Sequence, residues 1–228
     1  MKKTFALALA MLAAGFVPVF AQTNIATWTF ETSVPTTSGP IAAEVGTGSA
    51  VAFHSGASTY SSPAGNGSAH SFSSTNWQVG DYYQFQVSTT SLSDLAVSWD
   101  QVSSGTGPSG FALQYSLNGT AFSQASTYTV LANASPNVWS SGSPITTTSY
   151  SFNLAALTSL NNQSTVYFRL ADLNTVAANG TTVASGGTDR VDNFSITAIP
   201  EPSTYALILG AGTLGFAALR RRRLVAAV

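Results

Sequence analysis

The sequence predicts an all-β fold, an antiparallel β-sandwich, with a targeting segment at each end. Apolar and polar residues alternate with a period of two in many short segments, as they do in strands with one buried face. Gly, Ser, Thr and Pro fill the stretches between these segments. Only 7% of the residues are charged, so residues that favour exposed helix faces are scarce.

The N-terminal residues 1–21 have the order of features found in a signal peptide. Two lysines precede an apolar stretch from Phe5 to Phe20. Small or β-branched residues occupy the positions one and three residues before a cleavage site after Ala21. We therefore expect export by the Sec machinery and removal of this segment by signal peptidase. A short N-terminal core helix is the less favoured alternative, because the segment has no polar stripe.

Residues 22–198 contain the alternating segments and are predicted to form one β-sandwich domain. In one of them Tyr83, Phe85 and Val87 fall on the same face. Asn118-Gly119 predicts a two-residue hairpin turn with Phe122 on the returning strand. The predicted strands lie in IATWTF, SAVAFHS, DYYQFQVS, LAVSWD, GFALQYSLNG, SYSFNL, STVYFRLA and VDNFSITAI. Only LAALTSLNN indicates a helical turn in this domain.

The charge of the predicted domain excludes one class of partner. Residues 22–198 contain eight carboxylates and two arginines, whereas the other six basic residues lie near the two ends of the chain. A domain with this excess of negative charge does not attract a phosphate backbone, so we expect no nucleic-acid binding.

The C-terminal residues 199–223 have three parts, followed by a short tail at 224–228. Pro200-Glu201-Pro202 favours an extended junction, because proline has no amide donor and restricts the residue before it. Residues 203–219 carry no charge and are long enough, as a helix, to span a bilayer. A basic cluster behind a membrane helix stays on the cytoplasmic side and stops transfer. This cluster is Arg220, Arg221, Arg222 and Arg223.

These three parts, in this order, resemble the PEP-CTERM sorting signal of bacterial exosortase substrates. The resemblance implies that Pro200, Glu201 and Pro202 are recognised by an exosortase, a membrane-embedded cysteine protease. It also implies a Gram-negative host with an exopolysaccharide system. The implied route is an inner-membrane-anchored intermediate, followed by release to the cell surface or to the extracellular matrix of a biofilm.

The predicted domain also resembles the jelly-roll domains of PEP-CTERM proteins, which are similar to galactose-binding-like and carbohydrate-binding modules. Four segments carry the resemblance, namely WTF, FALQYSLNGTAF, VYFRL and DRVDNFSITA. This resemblance supports a jelly-roll-like sandwich. It rests on the apolar pattern and therefore identifies no activity.

The sequence favours a protein without enzyme activity, at the cell surface or in the exopolysaccharide matrix. The chain has no cysteine, and His54 and His70 lie in loop-like sequence, so we interpret both as solvated. No local motif pairs two carboxylates as a glycosidase requires. A carbohydrate-binding module with a specific glycan ligand is the main alternative, and a polysaccharide hydrolase is the less favoured one.

Three aromatic residues are candidates for glycan contact. Trp77, Tyr82 and Trp139 fall outside the strong alternation or in loops, where a ring can be exposed to a sugar. Trp28 and Trp99 follow the alternation and are assigned to the core.

Two acidic residues are candidates for a metal site, although no other cofactor is expected. By resemblance to jelly-roll modules, Glu31 after the first strand and Asp192 on the last strand would share a structural Ca²⁺. Calcium needs six to eight oxygen ligands, and only two can be named here. Pairing of these acids with Arg169 or Arg190, or solvation, is the alternative.

Overall fold

The structure is a computed structural model that describes residues 22–200. The predicted signal peptide, Glu201, Pro202, residues 203–219 and the arginine cluster lie outside the described residues. Across 22–200, no helix is both long enough and apolar enough to cross a bilayer.

Thirteen strands form two antiparallel sheets. The seven-stranded sheet contains β1 (Thr23–Trp28), β3 (Val45–Gly46), β5 (Tyr60–Ser61), β6 (Phe72–Thr75), β8 (Leu92–Ser103), β11 (Ser149–Asn153) and β13 (Thr188–Pro200). The six-stranded sheet contains β2 (Ile41–Ala42), β4 (Gly48–Phe53), β7 (Tyr82–Val87), β9 (Gly110–Ser116), β10 (Ser123–Thr129) and β12 (Val166–Asp172). The predicted β-sandwich is therefore confirmed.

Helical structure in the described part of the chain is limited to two single turns of 3-10 helix, Thr146–Thr148 and Thr158–Leu160. The second turn lies within the LAALTSLNN segment, where a helical turn was predicted. The first was not predicted, because three consecutive threonines carry no helix signal.

Strand β13 is the centre of the seven-stranded sheet. Along one side it pairs with β8, from Asp189 opposite Ser103 to Pro200 opposite Leu92. Along the other side it pairs first with β6 and then with β1. The strand order across the sheet is β11-β8-β13-β1-β3, so this strand joins the beginning of the domain to its middle.

Aromatic residues from both sheets fill the space between them. Phe194 of β13 stacks on Phe85 of β7, with ring centroids 3.5 Å apart. Trp28 packs edge-on against Phe85 at 5.1 Å, and its indole N–H donates to the carbonyl of Ile41 at 3.1 Å. Trp28 and Trp99 are both buried, which confirms their assignment to the core.

Gly48 tests how tightly this core is packed. A Cβ atom at this position would lie 2.6 Å from Cη2 of Trp28 and 2.8 Å from the carbonyl oxygen of Gln86. The indole is held by its hydrogen bond and by its ring contacts, so Gly48→Ala should lower the free energy of unfolding by about 1–3 kcal/mol. Urea denaturation followed by tryptophan fluorescence measures the change.

Gly186→Ala is the matched control, because a Cβ atom there would meet no atom within 4 Å. We expect it to change stability by less than about 0.5 kcal/mol. Equal effects of the two substitutions would contradict the packing described around Trp28.

Candidate functional site

The outer face of the six-stranded sheet carries a row of long polar side chains. Tyr83, Phe85 and Val87 of β7 point into the core, so the alternate positions face outward. Strand register places one outward residue from each of four strands side by side. This glutamine–arginine row consists of Gln124 in β10, Gln114 in β9, Arg169 in β12 and Gln84 in β7. All four side chains are partly or fully exposed.

Arg169 is held in this row between two aromatic rings. Its guanidinium carbon lies 3.6 Å from the ring centroid of Tyr82 and 3.6 Å from that of Phe122. Nε donates to Gln84 Oε1 at 2.9 Å, and Nη2 donates to the Tyr82 hydroxyl at 2.8 Å. Partial burial lowers the pKa of Arg169, but an arginine stays protonated at neutral pH. The remaining guanidinium N–H groups have no acceptor within residues 22–200, so they are available to a ligand.

The connection between β9 and β10 brings Phe122 over the row. The predicted two-residue turn at Asn118-Gly119 is wrong, because β9 ends at Ser116 and β10 begins only at Ser123. The Asn118 side-chain oxygen accepts hydrogen bonds from the backbone amides of Thr120 and Ala121, at 3.0 and 2.9 Å. These bonds stabilise the longer loop. Phe122 is therefore not part of the returning strand and stacks on the guanidinium instead.

Phe53 extends this surface with an exposed ring. Its side chain is 47% exposed and stacks on Tyr82, with centroids 5.1 Å apart and an interplanar angle of 18°. Phe53, Tyr82, Phe122 and the glutamine–arginine row together form what we call the candidate binding face. The rings can pack against the apolar side of a sugar, while the amides and the guanidinium can bind its hydroxyl or carboxylate groups.

Of the three aromatic residues predicted to contact a glycan, only Tyr82 lies on this face. Trp77 is 4% exposed, and its indole N–H donates to the carbonyl of Ser74 at 3.1 Å. Trp139 is equally buried, and its indole N–H donates to the hydroxyl of Thr148 at 2.9 Å. The prediction that these two tryptophans offer a stacking surface is wrong. Each indole turns from its loop into the interior, where its N–H finds an acceptor.

Sequence reasoning missed most of the candidate binding face. A signal was present, because the outward residues of β7, β9 and β12 are the polar members of the alternating segments already assigned as strands. Their convergence depends on strand order, which the alternation does not contain. The missed residues are Phe53, Gln84, Gln114, Phe122, Gln124 and Arg169.

Glu31 and Asp192, the predicted calcium ligands, meet at one loop, residues 65–70. Glu31 accepts the backbone amide of His70 at 2.7 Å. Asp192 accepts the amide of Asn66 at 2.9 Å and a serine hydroxyl of the loop at 2.6 Å, and burial raises its pKa to about 6. Within residues 22–200, no three Asp, Glu, His or Cys side chains are placed so that they could hold a metal ion. This donor set fits a hydrogen-bonded loop better than a shell of six to eight oxygens, so calcium binding stays a prediction.

His54 belongs to a buried Asp-His-Ser cluster. Its Nδ1 lies 3.0 Å from Asp81 Oδ2, and its Nε2 lies 3.0 Å from Ser74 Oγ. The interpretation of His54 as a solvated residue is wrong, because its side chain is 1% exposed and its ring packs on Trp77. Burial also lowers its pKa. Ser74 is 1% exposed, so its hydroxyl cannot meet a substrate, and the cluster serves to join the two sheets.

Asp189 lies in a second buried network. Gln101 Nε2 donates to Asp189 Oδ1 at 2.9 Å, and Ser103 Oγ lies 2.8 Å from Oδ2. Ser103 also contacts the carbonyl of Pro108, but its hydroxyl has only one proton for these two oxygens. Both contacts are satisfied when Asp189 is protonated and donates to Ser103. Burial, which raises the pKa of Asp189 to about 8, favours the same protonated form.

A model of the PEP-CTERM protein-sorting motif matches residues 198–223. The chain carries a PEP-CTERM sorting motif. This motif implies export and a membrane-anchored sorting intermediate that is processed by an exosortase. Pro200, its first proline, is the last residue of β13, whereas Glu201 and Pro202 lie outside the described residues.

No curated protein matches the chain. Among solved structures, the K2 adhesin domain of Lys-gingipain is 14% identical, with 77% of this chain and 99% of that chain covered and a TM-score of 0.46. Xylanase 10B of Clostridium thermocellum, in its CBM22-1 and GH10 modules, is 14% identical over 77% of this chain and 28% of that chain, with a TM-score of 0.43. The CBM22-2 xylan-binding domain of Paenibacillus barcinonensis Xyn10C is 15% identical over 75% of this chain and 98% of that chain, with a TM-score of 0.42. These likenesses carry no argument about a ligand or an activity.

The Asp189 network predicts that the stability of the domain falls as pH rises towards 8. The pKa of Asp189 is about 8 in the folded chain and about 4 in an unfolded chain, so the folded state binds more protons between these values. Stability therefore falls as pH rises towards 8, by about 1 kcal/mol per pH unit for one such group. Thermal unfolding between about pH 5 and pH 8 measures this dependence.

Asp189→Asn should reduce the loss, because an amide can accept from Gln101 and donate to Ser103 without ionising. Asp94→Asn is the matched control, since Asp94 is exposed and its backbone has a positive φ of 53° that asparagine tolerates. An Asp189→Asn variant with the pH dependence of the unaltered chain would contradict a protonated Asp189.

Proposed function

We propose that the chain is a non-enzymatic protein of the cell surface or exopolysaccharide matrix that binds polysaccharide through the candidate binding face. The PEP-CTERM motif accounts for export and for processing by an exosortase. The binding role rests on the geometry of the described domain. Its principal support is Arg169, held between two rings beside three glutamines with guanidinium donors still available.

The fixed position of Arg169 suits recognition of an extended polymer. Its stacking on Tyr82 and Phe122 holds the guanidinium before a ligand arrives, so little conformational freedom is lost on binding. Gln114 has no side-chain hydrogen bond within residues 22–200, and its amide can both donate and accept. Because the row runs across four strands, it can contact several consecutive sugars of one chain.

The distribution of carboxylates favours binding over hydrolysis. The candidate binding face contains no Asp or Glu, whereas a glycosidase needs two carboxyl groups on either side of the scissile bond. Four of the eight acids in the domain are fully buried, and these are Asp81, Asp172, Asp189 and Asp192. Glu31 is exposed and Glu44 is partly buried, and both hold nearby loops through hydrogen bonds.

Substitution on the binding face tests this proposal. Gln114→Ala and Phe53→Ala remove an amide and an exposed ring from the surface, so neither should alter the core. Each should weaken polysaccharide binding by about 2–10-fold, which corresponds to one lost hydrogen bond or ring contact. Affinity electrophoresis through gels that contain neutral or uronic-acid polysaccharides measures the effect, and thermal unfolding confirms that the variants are folded.

Ser151→Ala is the matched control. Ser151 is exposed on the seven-stranded sheet, where it lines a shallow groove with Ser98, Asp100 and Asn193. Its substitution should leave binding unchanged. Binding at the candidate face would be contradicted if no polysaccharide retarded the unaltered chain in the gel, or if Ser151→Ala weakened binding while the two face variants did not.

Replacement of Pro200, Glu201 and Pro202 by alanine tests processing. The unprocessed chain should accumulate in the membrane fraction, because the exosortase no longer recognises its sorting motif. Cell fractionation and immunoblotting against the domain measure this distribution. A triple variant processed as fast as the unaltered chain would contradict the assignment of these residues to recognition.

A further inference from the structure

The two ends of the described chain lie at the same end of the sandwich. Thr23 at the start of β1 pairs with Ala198 near the end of β13. Pro200 pairs with Leu92, which follows directly on the turn between β7 and β8. We call this end of the domain the terminal pole. The predicted signal-peptide cleavage site and the sorting motif therefore both adjoin the terminal pole.

Two further segments build the terminal pole, residues 88–92 and residues 160–164. Thr89 joins them, because its hydroxyl donates to the carbonyl of Leu160 at 2.6 Å and its amide donates to the carbonyl of Gln163 at 2.9 Å. Asn162 adds two bonds, accepting the amide of Ser91 and donating its own amide to the Leu92 carbonyl, both at 2.9 Å. The two segments thus form one connected surface rather than two independent loops.

The two segments that build the terminal pole are polar and uncharged. Residues 88–92 read STTSL and residues 160–164 read LNNQS, without a charged side chain. Leu117, in the adjacent β9–β10 connection, is 43% exposed. Hydroxyl and amide groups can exchange hydrogen bonds with lipid headgroups, and these two segments carry no charge that anionic lipids would repel. The exposed carboxylate of Asp94 lies two residues after Leu92.

The chain between this pole and the predicted membrane segment is very short. Only Glu201 and Pro202 separate Pro200, still paired in the sheet, from residues 203–219. Even if the extended portion includes Ser203 and Thr204, it spans at most about 14 Å. The headgroup layer on each side of a bilayer is about 5–8 Å thick. A body anchored in this way has no room to stand clear of the membrane.

We propose that, in the membrane-anchored intermediate, the terminal pole contacts the lipid headgroups. Strands β13 and β8 then extend away from the bilayer. β13 has thirteen residues, so the opposite end of the sandwich lies about 40 Å from the headgroups. The outer faces of both sheets then stand upright and open to solvent. The candidate binding face is consequently accessible before processing as well as after it.

Single-cysteine labelling tests this orientation, since the chain has no cysteine of its own. Ser164 at the terminal pole and Ser185 at the opposite end are both exposed serines without a side-chain hydrogen bond within residues 22–200. Full-length Ser164→Cys and Ser185→Cys chains are labelled with a fluorophore and reconstituted into phosphatidylethanolamine–phosphatidylglycerol vesicles. Some of the vesicles contain lipid with a nitroxide on its headgroup.

The label at residue 164 should lose most of its fluorescence in nitroxide vesicles, and the label at residue 185 should lose none. A Gly/Ser linker of about 15 residues, inserted between Ile199 and Pro200, spans about 20 Å and should restore the fluorescence at residue 164. Equal quenching at the two positions, or no quenching at residue 164, overturns the proposal. If residue 164 is not quenched, the terminal pole does not contact lipid, and the exosortase, which these vesicles lack, becomes the partner to test at this surface.

Discussion

The pairing of β13 with strands on both of its sides is the constraint on which the rest of the structure depends. This strand lies at the centre of the seven-stranded sheet, where it pairs with β8 on one side and with β6 and β1 on the other. It contributes Phe194 to the aromatic contacts between the sheets and Asp189 to a buried polar network. It also ends at Pro200, the first proline of the PEP-CTERM motif. The strand that completes the fold therefore leads directly into the segment that directs sorting.

The candidate binding face follows from the same alternation that builds the core. In β7, β9 and β12, apolar residues point towards the aromatic core, and the alternate positions carry Tyr82, Gln84, Gln114 and Arg169. The inward side fixes strand register, and register fixes which outward residues are neighbours. Arg169 and Gln84 meet because their strands pair at this position. A substitution that shifted the register would separate these side chains even if every one of them were retained.

The sequence predicted the fold class well because period-two alternation reports directly on which residues are buried. It placed Trp28 and Trp99 correctly in the core, since both follow the alternation of regular strands. It failed for Trp77 and His54, which are in loop-like sequence but turn inward. Trp77 packs on Phe111, and His54 contacts Asp81, so both contacts join residues that are distant along the chain. Local pattern contains no information about such contacts. The same limit hid Phe122, whose position depends on the conformation of the preceding loop and on Arg169 in another strand.

Hydrogen exchange across β13, measured by mass spectrometry on the full-length chain, tests the central role of this strand most directly. A strand paired on both sides opens only when the domain unfolds, whereas an edge strand opens locally. Amides of residues 195–197, which are paired with β8 on one side and β1 on the other, should therefore exchange more slowly than those of the edge strands β10 and β11. Exchange in β13 as fast as in those edge strands would contradict the claim that the fold is held together by the strand that leads into the sorting motif.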